Sequence, residues 1–279
     1  MTTTLLTANA KLTTSLRVVG RREDGYHLID AEMVSLDLAD HLYVDEGLDG
    51  FSVRDEIRWI GLPGTAPEAE LAEVPTGPGP NLVERALALC GLRARCTLEK
   101  HIPPAAGLGG GSSDAAAILR WHGVTDLTTA VSLGADVPFC LVGGAARVSG
   151  IGEIVEPLAD VSTEALEPTA FLLVTPRLSV STPTVYSAWD DLDGPAGDNG
   201  NDLEPAALTA YPGLRWWRDL LGAAAGQRPR LAGSGGTWFV EGDPTWLEEL
   251  AESVRGDVVS GRESAMVTTA RRVGAAAAG

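Results

Sequence analysis

Short apolar runs separated by polar turns dominate the first third of the chain. Residues 16–19, 33–38 and 42–44 have the length and composition of strands, and the charged segment 21–25 has the composition of a turn. From residue 62 to residue 80, glycine, proline, alanine and glutamate prevail without a sustained period, which predicts a surface loop. This part of the chain is therefore predicted to be rich in β-sheet.

Helical and strand-like patterns alternate irregularly in the rest of the chain. The pattern predicts helices at 81–89, 114–121, 127–133, from Pro183, at 201–210 and from Asp243-Pro244, and strands at 93–98, 145–148 and 171–174. The turn at 150–152 divides the chain into predicted domains 1–152 and 153–279, and the alanine-rich tail 274–279 is expected to fray. Irregular alternation with hairpin-like pairs favours an α+β fold over a doubly wound sheet.

Length and charge restrict the class of protein. The chain has 279 residues, 44% of them hydrophobic, which is enough for a substantial core. Its net charge of -17 argues against nucleic acid or an anionic membrane as a partner, but a local pocket can still hold a small anionic substrate. Neither a membrane span nor a secretory leader is recognisable, so we expect a cytoplasmic protein that is a monomer or a weak homodimer.

Two rare residue types are informative. The three cysteines, Cys90, Cys96 and Cys140, form no CxxC pair, which argues against a zinc site or a disulfide framework and predicts buried thiols. Only two of the 21 basic residues are lysines, Lys11 and Lys100, and both adjoin the motifs described below. Either arginine bias left two lysines by chance, or a compact ammonium group is required at these positions.

A glycine-rich segment, PPAAGLGGGSSDAAA at residues 103–117, carries the strongest chemical signal. Its glycines allow a ligand to approach the backbone closely, and the helix that follows offers N–H groups and a partial positive charge to phosphate oxygens. We expect Ser112 and Ser113 to cap this helix. The segment lacks the lysine of a Walker loop, the third glycine of GxGxxG and the GxSxG of a hydrolase. A flexible turn before an ordinary helix is the simpler alternative, and phosphate binding is favoured over it.

This segment resembles the phosphate loop of the GHMP kinases, and other segments agree with it in order. AKLTTSLRVVGRREDGYH at 10–27 and LGADVPFCLVGGAARVSGIGE at 133–153 resemble motifs of the 4-diphosphocytidyl-2-C-methyl-D-erythritol kinases. NLVERA at 81, STPTVYSAWD at 181, NDLEPAAL at 201 and AGSGGTWF at 232 are weaker matches. The resemblance therefore spans nearly the whole chain.

The resemblance implies a fold, a reaction and a cofactor. The fold is the two-lobed α+β GHMP architecture with the active site in the cleft between the lobes. The reaction is ATP-dependent phosphorylation of the 2-hydroxyl of a cytidine diphosphate-linked polyol, 4-diphosphocytidyl-2-C-methyl-D-erythritol, in isoprenoid biosynthesis, with Mg²⁺ shielding the phosphates. Two alternatives stay open: a GHMP kinase for another small alcohol, such as mevalonate or homoserine, and an inactive nucleotide-binding paralogue.

The resemblance also assigns roles to individual residues. Asp136 matches the catalytic aspartate and Lys11 the catalytic lysine, although taken alone they would be a turn aspartate and a solvated lysine. The ligands of the metal ion are not identifiable, and Ser113 is a candidate to reach it. The residues that match the ATP site are Asn81, Leu82, Lys100, Pro103, Pro104, Ala105, Ala106, Gly107, Leu108, Gly109, Gly110, Gly111, Ser112 and Ser113.

For the acceptor substrate, the resemblance places Tyr26 and Tyr186 on either side of the cytosine, with His27 at its polar edge. Thr182 is expected near the methylerythritol portion. Thr13 stands where the family usually has asparagine, and residues 232–236 read AGSGG where the family usually has SGSGP. Replacement of that proline by Gly236 is expected to loosen the loop, because glycine gains more entropy in the unfolded chain.

Overall fold

A computed structural model describes residues 2–61, 80–158, 170–261 and 263–275. Residues 62–79 of the predicted surface loop and residues 276–279 of the predicted frayed tail lie outside this range. The described strands are β1 (Thr4–Arg21), β2 (His27–Glu46), β3 (Gly50–Asp55), β4 (Ala94–Lys100), β5 (Ala145–Gly150), β6 (Ile154–Pro157), β7 (Ala170–Pro176), β8 (Arg230–Leu231), β9 (Trp238–Gly242) and β10 (Ala265–Val273). The described helices are α1 (Leu82–Leu89), α2 (Gly110–Trp121), α3 (Leu127–Val131), α4 (Val137–Val142), α5 (Thr182–Asp191), α6 (Glu204–Ala210), α7 (Leu214–Ala225) and α8 (Pro244–Ser260).

The long hairpin of β1 and β2 organises the sheet. β1 pairs antiparallel with β2 along nearly its whole length, with irregularities between Asn9 and Lys11 and between Thr13 and Ser15. The opposite edge of β2 pairs in succession with β5, β10 and β4. Because β10 also pairs with β7, the strands of the first and second halves of the chain form one mixed sheet, β3-β4-β2-β10-β7-β9-β8.

The predicted strands 33–38 and 42–44 are one continuous strand in the structure. Asp40, which lies between them, is fully buried rather than in a turn. Its carboxylate accepts hydrogen bonds from the Lys100 ammonium and from the backbone N–H groups of His101 and Ile102. A buried charge with such partners is tolerated inside a sheet, so this polar interruption does not end the strand.

Sequence signals at helix starts were reliable when a side chain caps the helix. Asn81 and Glu84 form a capping box at α1, and the Asp243 side chain accepts from the first turn of α8, as predicted. By contrast, α2 begins at Gly110 instead of residue 114, because the glycine-rich segment itself supplies the first turn. The prediction omitted α4, α7, β3, β6, β8, β9 and β10.

The observed mixture of sheet and helices confirms the α+β prediction. Apolar side chains from both halves of the chain share the main core, including Leu42, Ile118, Leu172 and Trp238. The proposed division at residue 152 falls in the turn between the paired strands β5 and β6, and it stays a prediction. In the described part of the chain, no helix is long and apolar enough to cross a membrane.

Two of the three predicted buried thiols are deeply buried. Cys96 and Cys140 are buried and Cys90 is half-buried, and all three are free thiols. Burial raises the pKa of Cys96 and of Cys140 to about 12, so both side chains are neutral packing groups.

Candidate active site

Two cavities meet at one point on the protein. The first, here called the strand cavity, has a volume of about 640 Å³ and lies among β1, the start of β2 and α5. The second, the loop cavity, has a volume of about 580 Å³ and lies along the glycine-rich segment. Ser112, Asp136 and Thr182 line both cavities. A ligand in each cavity would therefore bring its reactive end to these three residues.

The loop cavity gathers most of the residues that the resemblance assigned to ATP. Those that line it are Asn81, Leu82, Lys100, Pro103, Pro104, Ala105, Ala106, Gly107, Gly109, Gly110, Gly111 and Ser112. The glycine-rich segment and the start of α1 thus supply much of the cavity wall, and Phe51, Glu84, Arg85, Leu98 and Asp114 also line it.

Leu108 and Ser113 are the two residues assigned to ATP that do not line the loop cavity, and their assignment stays a prediction. The Leu108 side chain is buried in the core, and only its carbonyl contributes, by accepting a hydrogen bond from the Lys11 N–H at 3.0 Å. The Ser113 hydroxyl is buried and donates to the carbonyl of Asn9 at 2.7 Å. The Ser113 hydroxyl is therefore engaged inside the protein in this structure.

The prediction that Ser112 and Ser113 cap α2 was wrong. The N-cap is Gly109, which has a φ of 67° and no side chain to form a cap. The first N–H groups of a helix have no acceptor within the helix, and the helix dipole makes them partially positive. Uncapped N–H groups at the wall of a cavity suit phosphate oxygens better than capped ones would.

Lys100 lies beneath the loop cavity in a buried ion cluster. Its ammonium group contacts Asp40 and donates to Asp114 at 2.9 Å, and all three side chains are almost completely buried. Burial raises the pKa of the Asp114 carboxyl to about 7, and the nearby Lys100 charge opposes this shift. The second oxygen of Asp114 has no hydrogen-bond partner among the described residues. The cluster anchors the end of β4 directly before the glycine-rich segment.

Lys11 and Asp136 form an ion pair where the two cavities meet. The Lys11 ammonium lies 3.3 Å from Asp136 Oδ2 and donates to the Thr13 hydroxyl at 3.1 Å. Lys11 is buried, with 5% of its surface exposed, so it is not a solvated surface lysine. Asp136 occupies the N-cap position of α4 but makes no capping bond with its side chain. Its carboxylate is therefore not used to cap the helix, and it lines both cavities.

The strand cavity collects the five residues that the resemblance assigned to the acceptor substrate. Tyr26, His27, Thr182, Tyr186 and Thr13 all line it. Tyr26 is 61% exposed at the rim, whereas one face of the Tyr186 ring is stacked on His27 at 4.7 Å between centroids. Burial, reinforced by the negative charge of Asp136, raises the pKa of the Tyr186 hydroxyl and keeps it neutral.

Sequence reasoning missed several polar residues of the strand cavity. Arg21, Asp24, Asp190 and Ser234 line it beside the predicted residues. Asp190 follows Tyr186 by four positions, which is the spacing of neighbours on one helix face, so its place could have been found from the α5 pattern. Ser234, whose hydroxyl is 2.6 Å from that of Thr182, approaches from a distant loop and belongs to the matching segment AGSGGTWF at 232, although it was not named as a site residue.

One cluster of potential metal ligands lies elsewhere in the described chain. Suitable atoms of His41, Glu99 and His101 lie within 4.8 Å of one another, but none of these residues lines either cavity. Both Glu99 oxygens already have partners, since one accepts from Tyr43 and the other from Arg54. This cluster is therefore separate from the chemistry of the cleft.

Comparison with known proteins shows which family of proteins the chain is similar to. Residues 81–144 match the model of the GHMP kinases N terminal domain. A protein of Paracoccus denitrificans named 4-diphosphocytidyl-2-C-methyl-D-erythritol kinase is 38% identical over 250 residues, covering 83% of this chain and 84% of the relative. A protein of the same name from a Polaromonas species is 37% identical over 263 residues, covering 83% and 81%.

Solved structures agree with this fold over almost the whole chain. A crystal structure of 4-(cytidine 5'-diphospho)-2C-methyl-D-erythritol kinase matches with a TM-score of 0.70 and 30% identity, over 97% of this chain and 100% of the other. A homoserine kinase from Cytophaga hutchinsonii has the same fold, with a TM-score of 0.60 and 15% identity over 98% and 96%.

Proposed function

Because the chain belongs to the family of 4-diphosphocytidyl-2-C-methyl-D-erythritol kinases, we propose that it transfers the γ-phosphate of ATP to the 2-hydroxyl of 4-diphosphocytidyl-2-C-methyl-D-erythritol. The observation that carries this proposal is the junction of two cavities at Ser112, Asp136 and Thr182. Phosphoryl transfer needs two ligands held end to end, with charged groups at the point where they meet. The paired Lys11 ammonium and Asp136 carboxylate provide such groups.

Asp136 is proposed to accept the proton of the attacking hydroxyl. The Lys11 ammonium at 3.3 Å keeps the carboxylate in place and adds positive charge where the transferred phosphoryl group passes. Since Lys11 is buried, its charge is poorly screened by water and acts strongly at short range. Thr13 orients the ammonium through its hydroxyl, which replaces the asparagine amide usual in the family.

The loop cavity is proposed to hold ATP. Its phosphates would lie against the N–H groups at the start of α2, and its base towards Asn81, Leu82 and Lys100. The available donors fit a Mg²⁺ ion that enters with the nucleotide, because Mg²⁺ is commonly held by phosphates and water with few protein ligands. Ser112 and Thr182 offer hydroxyl oxygens for it at the junction. Bound there, the ion would neutralise phosphate charge.

The strand cavity is proposed to hold the cytidine end of the acceptor. Tyr26 and Tyr186 offer aromatic faces for the cytosine, and His27 offers a ring nitrogen to its edge. Thr182 lies where the polyol must approach Asp136. Arg21 also lines this cavity, where its guanidinium is paired with Asp190.

We also propose that the protein works in the cytoplasm, where ATP is supplied, as a monomer or a weak homodimer. Size-exclusion chromatography with light scattering at several protein concentrations tests the oligomeric state. A stable dimer or a larger assembly at micromolar protein would contradict this part of the proposal.

The function is tested by ADP release from Mg·ATP with the purified chain. 4-Diphosphocytidyl-2-C-methyl-D-erythritol is compared with mevalonate, homoserine and a control without acceptor. Release with the cytidine substrate alone supports the proposal, and product phosphorylated at the 2-hydroxyl identifies the reaction. Release with another acceptor would indicate a different GHMP kinase. If folded protein binds ATP but releases no ADP with any acceptor, the chain is an inactive paralogue.

A further inference from the structure

His27 is held by three residues of α5. Its ring stacks on Tyr186 with an interplanar angle of 21°, and the edge of Trp189 contacts it at 5.5 Å between centroids. Its Nε2 lies 2.8 Å from Asp190 Oδ1. Tyr186, Trp189 and Asp190 are spaced three and four positions apart, so one face of α5 presents all three. The imidazole therefore has little freedom to rotate.

Asp190 determines which nitrogen of His27 carries the proton. An ionised carboxylate can only accept hydrogen bonds, so Nε2 must donate to it. In the neutral imidazole the other nitrogen, Nδ1, then has a free lone pair and is an acceptor. Among the described residues, Nδ1 has no hydrogen-bond partner, and His27 lines the strand cavity. The protein thus presents a fixed acceptor to a ligand there.

A fixed acceptor distinguishes cytosine from uracil. Cytosine carries an exocyclic amino group that donates hydrogen bonds, whereas uracil carries a carbonyl oxygen at the same position, as thymine does. An acceptor at Nδ1 can receive a hydrogen bond from the amino group of cytosine. Against uracil, the lone pair of Nδ1 would face a lone pair of the carbonyl oxygen, and the two would repel each other. We propose that Asp190 is a positioning residue that selects cytidine over uridine substrates by fixing the tautomer of His27. This inference rests on the proposed function.

Arg21 makes this proposal testable with a single substitution. Its guanidinium lies 3.3 Å from Asp190 Oδ2, the carboxylate oxygen that does not face His27. In Asp190→Asn the amide oxygen should turn towards Arg21, because only the oxygen can accept from a guanidinium. The amide NH₂ then faces Nε2, which must become the acceptor, and the proton moves to Nδ1. The variant should present a donor to the base.

The first experiment measures kcat/KM for the cytidine substrate and for its uridine diphosphate-linked analogue. Asp190→Asn should lower the cytidine-to-uridine ratio by about tenfold or more, the effect expected for a reversed hydrogen bond to a base edge. The KM for ATP should not change. Asp191→Asn is the matched control, because it removes the same charge from the next position of α5, is exposed and does not line the cavity. An unchanged ratio in Asp190→Asn would refute the proposal.

The second experiment observes the tautomer in the unaltered protein. NMR of the ¹⁵N-histidine-labelled chain, with His27→Gln used to assign the signal, should show the Nε2–H form of His27. A proton on Nδ1, or on both nitrogens at the pH of the assay, would overturn the inference even if a variant fails to fold. Absence of any turnover by the unaltered protein would instead count against the proposed function, so the two failures are distinguishable.

Discussion

Replacement of Gly109 by alanine should disable the enzyme by moving Lys11. A Cβ atom at Gly109 would lie 2.6 Å from Lys11 Cγ and 3.2 Å from its Cε. Two carbon atoms prefer a separation of about 3.5–4.0 Å, so the lysine stem must withdraw by about 1 Å. The Lys11 ammonium, which lies 3.3 Å from Asp136, would move with it.

We expect Gly109→Ala to lower the reaction rate more than it lowers the stability of the fold. A misplacement of about 1 Å at a reacting centre can reduce the rate by about 100-fold, or roughly 2.7 kcal/mol of transition-state stabilisation. Gly109 has a φ of 67°, so alanine there also costs about 1–2 kcal/mol of folding stability. Gly91→Ala is the matched control, because Gly91 has a φ of 64° and no atom within 4 Å of its added Cβ.

Urea unfolding and ADP release separate these two effects. Both variants should lose a similar free energy of unfolding, and only Gly109→Ala should lose kcat by about 100-fold. ATP binding should persist, because the added methyl group points at Lys11. If Gly109→Ala keeps a kcat close to that of Gly91→Ala, the proposed contact between the phosphate loop and Lys11 does not control catalysis.

Three further predictions concern other parts of the cleft. Asp136→Asn should lower kcat by about 10²–10⁴-fold with little change in ATP affinity, since it removes a proton acceptor and keeps its shape; near-normal turnover would contradict the assigned role. Because burial raises the pKa of Asp114 to about 7, well above that of an unfolded aspartate, the folded state binds the extra proton and stability falls as pH rises from about 4 to about 7. Asp114→Asn should therefore become more stable relative to the wild type as pH rises, by at most about 1.4 kcal/mol per pH unit, and a constant difference in urea unfolding between pH 5 and pH 7 would refute this. Gly236→Pro should destabilise by more than about 1 kcal/mol, because Gly236 has a φ of 101° and proline is restricted to about -65°; an increase in thermal stability would contradict it.

Gly236 has a structural role that its sequence context does not show. The absence of the usual proline predicts a looser loop, because glycine gains more entropy in the unfolded chain, and this stays a prediction. In the structure the backbone adopts a conformation that proline cannot reach, and a Cβ at Gly236 would lie 3.0 Å from the backbone of Ala106. Glycine is therefore favoured by close packing against the glycine-rich segment, which is a tertiary effect that no local pattern reveals.

The site was predictable where its signals are local in sequence. The glycine-rich segment and the Asn81 cap depend on neighbouring residues, so both could be predicted from the sequence. The burial of Lys100 could not be predicted, because its partners Asp40 and Asp114 come from other elements. The same applies to Asp190, whose contact with His27 joins residues 163 positions apart.

The fixed relation between Lys11 and the phosphate loop follows from contacts on both sides of the lysine. The Lys11 N–H donates to the carbonyl of Leu108, and the Ser113 hydroxyl donates to the carbonyl of Asn9. These bonds attach β1 to the residues directly before and inside the first turn of α2. These bonds couple the position of the glycine-rich segment to that of the Lys11 backbone. The register irregularity of β1 between Asn9 and Lys11 occurs at this attachment, beside the residue whose ammonium lies 3.3 Å from Asp136.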